Sequence, residues 1–95
     1  MDDKREFLLE VVSPRGPFFE GKASMLELRT DMGNVGIYFN HEPAGMRIIE
    51  GSAVITSDGR RLPARFGGGF ARVTGDRVTV LVQTAEWLTD TGNEK

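Results

Sequence analysis

Alternation of apolar and polar positions is the main pattern in the chain. Residues 25–30 read MLELRT, in which two leucines alternate with a glutamate and an arginine, and residues 78–82 place three valines two positions apart. A two-residue period is typical of a β-strand with one face in the core and the other in solvent. The pattern predicts eight strands, at residues 7–12, 18–20, 25–30, 47–50, 52–57, 62–66, 70–73 and 77–83.

Turn-forming residues separate these segments at short intervals. The Asp58-Gly59 pair tolerates the positive φ of a tight hairpin turn, and Gly75-Asp76 predicts a second hairpin. Proline ends the first strand within residues 13–17, because it removes a backbone donor. Short strands with regular turns are typical of an all-β domain. We therefore expect a two-sheet β-sandwich of short, mostly antiparallel strands.

Two local patterns refine this prediction. Pro63 shares a strand face with Arg61 and Arg65, which predicts that this strand lies at a sheet edge, where proline and charge are tolerated. The only segment that could begin a helix starts at Thr84, and Gly92-Asn93 soon interrupts it.

Composition limits the chain to one domain, because 95 residues with 39% apolar content support a single core. We expect a disordered segment at residues 1–6, the folded domain at 7–86 and a short tail at 87–95. The absence of cysteine excludes a disulfide framework and thiolate metal sites. No apolar run has the length of a signal peptide or membrane helix. The net charge of −2 provides no overall attraction for nucleic acid.

Candidate catalytic chemistry is sparse. His41, the only histidine, precedes Glu42, but adjacent strand residues point to opposite faces and no serine or threonine is placed as a nucleophile. One histidine with scattered carboxylates does not match the ligand spacing of zinc or calcium sites. We therefore predict no catalytic residue, no metal site and no enzyme activity.

The three glycines at residues 67–69 resemble a phosphate loop only superficially. Such a loop ends in Gly-Lys-Ser/Thr and leads into a helix, and neither feature follows here. A β-bulge or a tight backbone approach between sheets is the simpler interpretation. We predict that the protein holds no cofactor.

The stretch at residues 33–43, GNVGIYFNHEP, concentrates unusual residue types. Gly33 and Gly36 allow a turn and the close approach of another backbone. Tyr38 and Phe39 offer surface that binding could remove from water. Two interpretations stay open: a surface held by another protein, or an aromatic that fills the core beside a histidine that caps a turn.

Several motifs follow one another in a characteristic order. They are Val11-Val12-Ser13-Pro14, Phe19-Glu20-Gly21, Gly33-x-x-Gly36-Ile37, His41-x-Pro43, Gly51, Gly68-Gly69-Phe70, Val78-Thr79-Val80-Leu81 and Thr84-Ala85-Glu86. None is specific alone. Their order and spacing over residues 7–86 resemble the N-terminal β-sandwich domain of the epsilon subunit of F-type ATP synthases, which is called delta in mitochondria.

The resemblance implies a non-catalytic rotor subunit at the foot of the central stalk. Such a subunit binds the gamma subunit and the polar loops of the c-ring, and it helps to couple ion translocation to ATP synthesis. It lies on the cytoplasmic face of the bacterial inner membrane and touches the membrane only through the complex. The resemblance implies no cofactor and no nucleic-acid partner.

In that family, the segment from Gly-x-x-Gly to His-x-Pro lies at the end of the sandwich that meets the ring and the stalk. The resemblance therefore implies that this segment is the docking surface. The docking residues that it implies are Gly33, Asn34, Val35, Gly36, Tyr38, Phe39, Asn40 and His41.

The chain departs from the family pattern at several positions. Many relatives carry a carboxylate in place of Asn34, Pro-Gly in place of Phe39-Asn40, and Leu-Leu in place of Ala44-Gly45. Family members also tend to add a C-terminal helical hairpin that can inhibit ATP hydrolysis. Residues 87–95 are too short to form that hairpin, so the resemblance is to a short form without inhibitory action.

A second hypothesis comes from a different functional class. The chain could be a free-standing β-domain that binds a small ligand or an acidic peptide through an edge rich in arginine. The residues of that edge would be Arg60, Arg61, Arg65 and Arg72.

Overall fold

The computed structural model describes residues 5–88, and every regular element in that range is a β-strand. In chain order the strands are β1 (Phe7–Ser13), β2 (Gly16–Ala23), β3 (Met25–Thr30), β4 (Gly33–Tyr38), β5 (Ala44–Ile48), β6 (Gly51–Ser57), β7 (Arg60–Phe66), β8 (Gly69–Thr74), β9 (Arg77–Val82) and β10 (Ala85–Trp87). This part of the chain contains no helix with the length and apolarity needed to span a bilayer. Two predictions concern the chain ends, a disordered segment at residues 1–6 and a short tail at 87–95. Residues 1–4 and 89–95 of these segments lie outside the described residues.

The strands form two hydrogen-bonded groups around one core. The first has the order β10-β7-β6-β3, with β4 also paired to β3, and the second has the order β5-β8-β9-β1-β2. A single residue pair, Thr30 with Ile48, joins β3 to β5 at one corner. β1 and β9 are parallel, while the other pairs described are antiparallel. The prediction of a two-sheet, mostly antiparallel sandwich is confirmed.

The core is built from side chains at alternate positions of the strands. Leu26 and Leu28 of β3 are 0% and 2% exposed, and the three valines of β9 are at most 4% exposed. Burial of each such side chain stabilises the fold by about 1.5–3 kcal/mol. The buried apolar residues are Phe7, Leu9, Val11, Ala23, Leu26, Leu28, Ile37, Ile48, Ala53, Ile55, Ala64, Phe66, Ala71, Val73, Val78, Val80 and Val82.

The glycines before β8 make the tight backbone approach that the sequence predicts. A Cβ on Gly69 would overlap the carbonyl oxygen of Leu81 and lie 2.7 Å from the Cα of Val82. Gly67 lies close to Thr84 and donates its N–H to the Thr84 carbonyl at 2.8 Å. The approach is between neighbouring strands of one sheet rather than between sheets. Only glycine fits at position 69 without moving the backbone of β9.

The prediction of a helix start at Thr84 is wrong. Residues 85–87 form β10, which pairs with the end of β7 so that Ala85 lies opposite Phe66. Alanine and glutamate are not favoured in strands, so pairing with β7 rather than intrinsic propensity decides the conformation.

β7 consequently has a second strand neighbour only over residues 64–66 and is an edge strand before them, so the edge prediction is correct for part of the strand. β6 pairs with it along its full length, and β10 covers residues 64–66 on the other side. The carbonyl of Pro63 accepts a hydrogen bond from the N–H of Leu88 at 3.0 Å. The N–H and C=O of one strand residue point the same way. An N–H at position 63 would therefore also point toward the β10 side, past Trp87, the last residue of β10, so its absence from proline leaves no strand pair incomplete.

Aromatic side chains close the sandwich where β2 and β10 meet. Phe18 stacks on Trp87 with ring centroids 4.3 Å apart and meets Phe66 edge-on at 6.0 Å, while Phe19 meets Trp87 edge-on at 6.3 Å. Phe18 has no partner in the β1–β2 register, which marks a β-bulge. The bulge lets Phe18 and Phe19, adjacent in sequence, approach the same indole.

Candidate docking surface

Residues 33–43 form an edge strand and a turn rather than a loop. β4 pairs antiparallel with β3, from Gly33 opposite Thr30 to Tyr38 opposite Met25. Among residues 5–88, β3 is the only strand that pairs with β4. At about 3.3 Å per residue, the two ends of β4 lie roughly 17 Å apart. The implied docking residues therefore lie along β4 and at its two ends, which are a hairpin tip and a turn.

The hairpin tip between β3 and β4 exposes a methionine. The Thr30 hydroxyl donates to the carbonyl oxygen of Gly33 at 2.8 Å and accepts from the N–H of Met32 at 3.1 Å. Gly33 has φ 109°, a value that other residues rarely adopt. The tip leaves Met32 87% exposed, the highest value among the large apolar side chains described. Asp31 and Asn34 beside it are also exposed.

The outward face of β4 is shaped by close packing at Gly36. Val35 and Ile37 point toward the core, so Val35 is half-buried and packs against it. On the opposite face, a Cβ on Gly36 would lie 3.2 Å from Met25 Cε and 3.3 Å from Tyr38 Cε1. Gly36 does not have positive φ. The expectation that this glycine makes a turn is therefore wrong, and its role is to leave room for two neighbouring side chains.

The turn after β4 presents two aromatic rings. The N–H of His41 donates to the carbonyl oxygen of Tyr38 at 3.2 Å, and Asn40 has φ 67°, which asparagine tolerates better than most residues. Tyr38 is 55% exposed and Phe39 37% exposed, so neither ring lies in the core. His41 does close the turn. The turn is closed as the second interpretation expects, but no aromatic of the turn fills the core, and the binding of this surface by another protein stays a prediction.

The ring of His41 has one nitrogen in use. Its Nδ1 lies 2.7 Å from the carbonyl oxygen of Glu42. Because a carbonyl can only accept, Nδ1 carries a proton, and Nε2 of the neutral ring can accept a hydrogen bond from a partner. Among residues 5–88, no three histidine, cysteine, aspartate or glutamate side chains gather as a metal site would require. The surface offers apolar contacts and a few hydrogen-bonding groups.

The arginines proposed as a binding edge do not form one cluster. Arg61 forms an ion pair with Glu27 at 3.1 Å, and Arg65 forms one with Glu50 at 3.2 Å. Arg72 lies on β8, which belongs to the other strand group. Two of the four guanidinium groups are therefore already paired within the protein, and the structure gives no support to this hypothesis.

Comparison with known proteins identifies the family. Residues 6–88 match the family model described as the ATP synthase delta/epsilon chain, beta-sandwich domain. The chain belongs to this family. The match covers nearly all of the described residues, and the fold agrees with the name of the domain.

Curated relatives carry the same family name. The chain is 38% identical over 82 residues to the ATP synthase epsilon chain of Caldicellulosiruptor bescii, covering 86% of this chain and 60% of the relative. It is 33% identical over 87 residues to that of Rhodococcus opacus, covering 90% and 71%. The epsilon-type domain described here thus spans about two thirds of the length of these relatives.

Solved structures share the fold at low sequence identity. A chain of the Euglena gracilis mitochondrial ATP synthase (OSCP/F1/c-ring) superimposes with a TM-score of 0.83 at 18% identity, covering 92% of this chain and 56% of the other. A chain of the Tetrahymena thermophila mitochondrial ATP synthase (central stalk/c-ring) gives 0.73 at 12% identity, covering 90% and 69%. These likenesses show a shared fold.

Sequence reasoning missed two residues that shape the surface of this epsilon-type domain. Met32 is not among the docking residues that the family resemblance implies. The sequence does contain a signal, because a large apolar residue between two turn formers, Asp31 and Gly33, is expected to be exposed. For Met25, the alternation predicts only a place in a strand. Its position against Gly36 depends on the β3–β4 register, which the sequence pattern does not supply.

Proposed function

We propose that the chain is a non-catalytic central-stalk subunit of a bacterial F-type ATP synthase. In this role it binds the gamma subunit and the polar loops of the c-ring, on the cytoplasmic face of the inner membrane. The observation that carries the proposal is the family match over residues 6–88. The relatives named epsilon chain, and the fold shared with chains from assemblies titled central stalk and c-ring, support it.

The candidate docking surface is suited to binding a partner protein. Its two ends are a hairpin tip fixed by the Thr30 hydroxyl and a turn closed by the His41 N–H. Contacts held in place before binding lose less conformational entropy on association. The exposed side chains of Met32, Tyr38 and Phe39 supply apolar area for the contact. A rigid sandwich with such ends can transmit rotation between a ring and a stalk.

A comparison of two variants tests how this surface works. Gly36→Val adds a Cβ 3.2 Å from Met25 Cε and 3.3 Å from Tyr38 Cε1, so its branched side chain crowds both outward side chains. His41→Ala removes at most one hydrogen bond, worth about 1 kcal/mol. We expect Gly36→Val to weaken binding more than His41→Ala, in titrations with purified gamma subunit and with detergent-solubilised c-ring.

The control is Leu8→Ser. Leu8 lies on β1, outside residues 33–43, and is 38% exposed, close to the 37% of Phe39. All variants must first show an unchanged melting transition. ATP-driven proton pumping in vesicles, reconstituted with enzyme lacking this subunit, provides the functional measurement. Failure of the parent chain to bind either partner would disprove the proposed function. If folded Gly36→Val binds normally while His41→Ala does not, the His41 side chain rather than the packing at Gly36 is required for binding.

A further inference from the structure

The backbone of β4 has a side that no other strand covers. Among residues 5–88, β4 pairs only with β3. An edge strand presents unpaired N–H and C=O groups, which can accept a further strand by hydrogen bonding. The free side of β4 is therefore a binding feature of the backbone, distinct from the exposed side chains at the two ends of the strand.

The direction of the β3 backbone shows which groups of β4 are already bonded. Thr30 has a partner in β4 and another in β5, so these two strands lie on opposite sides of β3. The Ile49 N–H donates to the Arg29 carbonyl at 2.9 Å, so the backbone groups of Arg29 face away from β4. Because the direction alternates along a strand, those of Leu26, Leu28 and Thr30 face β4.

Three residues of β4 consequently direct their backbone groups to the free side. The residues bonded to β3 are at positions 33, 35 and 37, so the outward ones are Asn34, Gly36 and Tyr38. The Tyr38 carbonyl also accepts the His41 N–H at 3.2 Å, and its second lone pair can accept another donor. These groups form a row about 13 Å long, from residue 34 to residue 38.

β4 lacks the features that protect other exposed strands of this protein. β2, at the end of the other strand group, carries Pro17, Glu20 and Lys22, and the open part of β7 carries Arg61 and Pro63. Proline and charge at such positions hinder pairing with another chain. The sequence of β4, GNVGIY, contains neither. The protein thus guards β2 and β7 and leaves β4 open.

The free side of β4 is complementary to a second copy of itself. When two β4 strands run antiparallel with Gly36 opposite Gly36, Asn34 lies opposite Tyr38 of the second copy, and all three outward residues are paired. Glycine at the symmetry axis places no side chain between the two copies, which permits a close backbone approach. The Asn34 amide and the phenol of the opposite tyrosine are then near enough to form a hydrogen bond.

Charge does not oppose this pairing. β4 has no charged residue, so no like charges lie opposite each other in the pair. The charged or titratable residues that flank it are Glu27 and Arg29 on β3, Asp31 before it, and His41 and Glu42 after it. Glu27 already forms an ion pair within the protein. The remaining charges are of mixed sign, so the pairing should depend only weakly on salt.

The size of the contact indicates a weak dimer. Each of the three residue pairs contributes two backbone hydrogen bonds. A pair of six-residue strands nevertheless buries less surface than the roughly 1,200–2,000 Å² of a standard protein interface. The dimer is therefore expected to dissociate readily and to exchange with the monomer.

We propose that β4 pairs with β4 of a second copy of this chain, so that the free protein forms a weak symmetric dimer with one sheet continuous across both copies. The dimer covers β4 and the hairpin tip and turn beside it, so only the monomer can use the candidate docking surface. That consequence rests on the proposed function, whereas the pairing itself does not. Binding of the monomer to a partner then draws protein out of the dimer by mass action.

Cysteine cross-linking tests the register, because the chain has no cysteine of its own. Opposite residues of a hydrogen-bonded antiparallel pair have Cα atoms about 5.5 Å apart, within the range for a disulfide. An equimolar mixture of Asn34→Cys and Tyr38→Cys should form a disulfide-linked heterodimer under mild oxidation. Each variant alone should cross-link at least about fivefold less, since equivalent positions lie roughly 13 Å apart along the paired strands. Equal cross-linking by the mixture and by each variant alone would overturn the proposed register.

Proline substitution tests the outward N–H. Asn34→Pro removes one donor on the free side and leaves the bonds to β3, and Asn34→Ala is the matched control that keeps the donor. Sedimentation velocity between about 5 and 500 μM measures self-association of variants whose circular dichroism is unchanged. We expect dissociation constants within about threefold for parent and alanine variant, and at least about tenfold weaker self-association for the proline variant. A parent that stays monomeric throughout overturns the proposal.

A titration of the parent with purified partners tests the consequence for assembly. Detergent-solubilised c-ring or gamma subunit is added at a concentration where the parent is mostly dimeric, and the mass of each complex is measured. We expect one copy of the chain in each complex and a matching loss of dimer. Complexes that retain the dimer would overturn the competition between pairing and docking. A parent that dimerises but binds neither partner would disprove the proposed function and leave the pairing intact. A monomeric parent whose gamma binding is lost in Asn34→Pro, but not in Asn34→Ala, would identify a strand of gamma as the occupant and overturn self-pairing.

Discussion

At the scale of single residues, backbone conformation and burial explain choices that composition does not. Asn40 has φ 67°, in the turn where the family resemblance leads one to expect Pro-Gly, a pair suited to turns whose third residue has positive φ. Phe39-Asn40 keeps the turn, since asparagine tolerates that conformation, and replaces proline by an exposed ring. The Phe39-Asn40 pair therefore suits the positive φ of this turn and leaves an aromatic ring at the surface.

Substitution of Asn40 tests this account. Asn40→Val should lower the free energy of unfolding by about 1–2 kcal/mol, because a β-branched residue is strained at positive φ. Asn40→Gly should stay within about 0.5 kcal/mol of the parent, since relief of strain is offset by greater freedom of the unfolded chain. Urea unfolding followed by circular dichroism measures both. Equal stability of the valine and glycine variants would contradict the turn geometry.

Thr56 of β6 is a second informative residue. Its hydroxyl oxygen is buried and has no hydrogen-bond partner in the described part of the chain. A buried hydroxyl without a partner costs about 1–3 kcal/mol, and valine has the same shape and a higher strand propensity. We expect Thr56→Val to raise the free energy of unfolding by about 1 kcal/mol.

The control for Thr56→Val is Thr74→Val, which alters an exposed threonine of β8 and should have an effect within about 0.5 kcal/mol. Both are compared in the same urea titration. A clear loss of stability in Thr56→Val would mean that the hydroxyl makes a stabilising contact.

At the scale of elements, turns and close approaches determine how strands meet. Asp58 and Gly59 have φ values of 55° and 77°, so the hairpin between β6 and β7 forms as the Asp-Gly pair predicts. β8 meets β9 differently, through a backbone contact that requires glycine at position 69. Both features are encoded by short local signals, and the second also needs the partner strand in place.

Adjacent glycines provide a sharp test of the β8–β9 contact. Gly69→Ala should destabilise the protein by about 3 kcal/mol or more, because its Cβ would overlap the backbone of β9. In Gly68→Ala the added carbon would lie 3.6 Å from the carbonyl oxygen of Ile48, an ordinary contact, so we expect a change below about 1 kcal/mol. Thermal unfolding compares the two. Similar melting temperatures would show that β9 moves away at little cost.

At the scale of the whole molecule, the two sheets are joined in different ways at two of the places where they meet. One is the single backbone pair of Thr30 and Ile48, supported by the Ile49 N–H, which donates to the Arg29 carbonyl at 2.9 Å. The other is the aromatic cluster between β2 and β10, where ring contacts take the place of strand pairing.

Removal of the indole tests the aromatic closure. Trp87→Ala should lower the free energy of unfolding by about 2 kcal/mol, less than for a fully buried ring because Trp87 is 42% exposed. Leu88→Ala, at 39% exposure, should cost less than half as much, since no ring stacks on it among the described contacts. Unfolding is followed by circular dichroism rather than by tryptophan fluorescence, because Trp87 is the only tryptophan and the variant lacks it. Equal losses would show that the cluster does not hold the sheets together.

Much of the fold was predictable from short sequence patterns. Alternation at residues 25–30 and 77–82 identified two central strands and their buried faces, and the glycines at 67–69 indicated the close approach. The candidate surface was only partly predictable. Residues 33–43 stood out by composition, but their division into a strand and a turn depends on pairing with β3. The contact roles of these residues stay predictions.

The sequence by itself determined the strand-forming segments, their inward faces and the tight turns, because a period of two and a positive φ are properties of neighbouring residues. It also determined the order of motifs that identifies the family. Tertiary structure alone decided that residues 85–87 form a strand, that Arg61 and Arg65 are paired, and that Val12 lies beside Leu81. The physical reason is that cross-strand register joins residues far apart in the chain, and the energies that select it arise only when the sheets assemble.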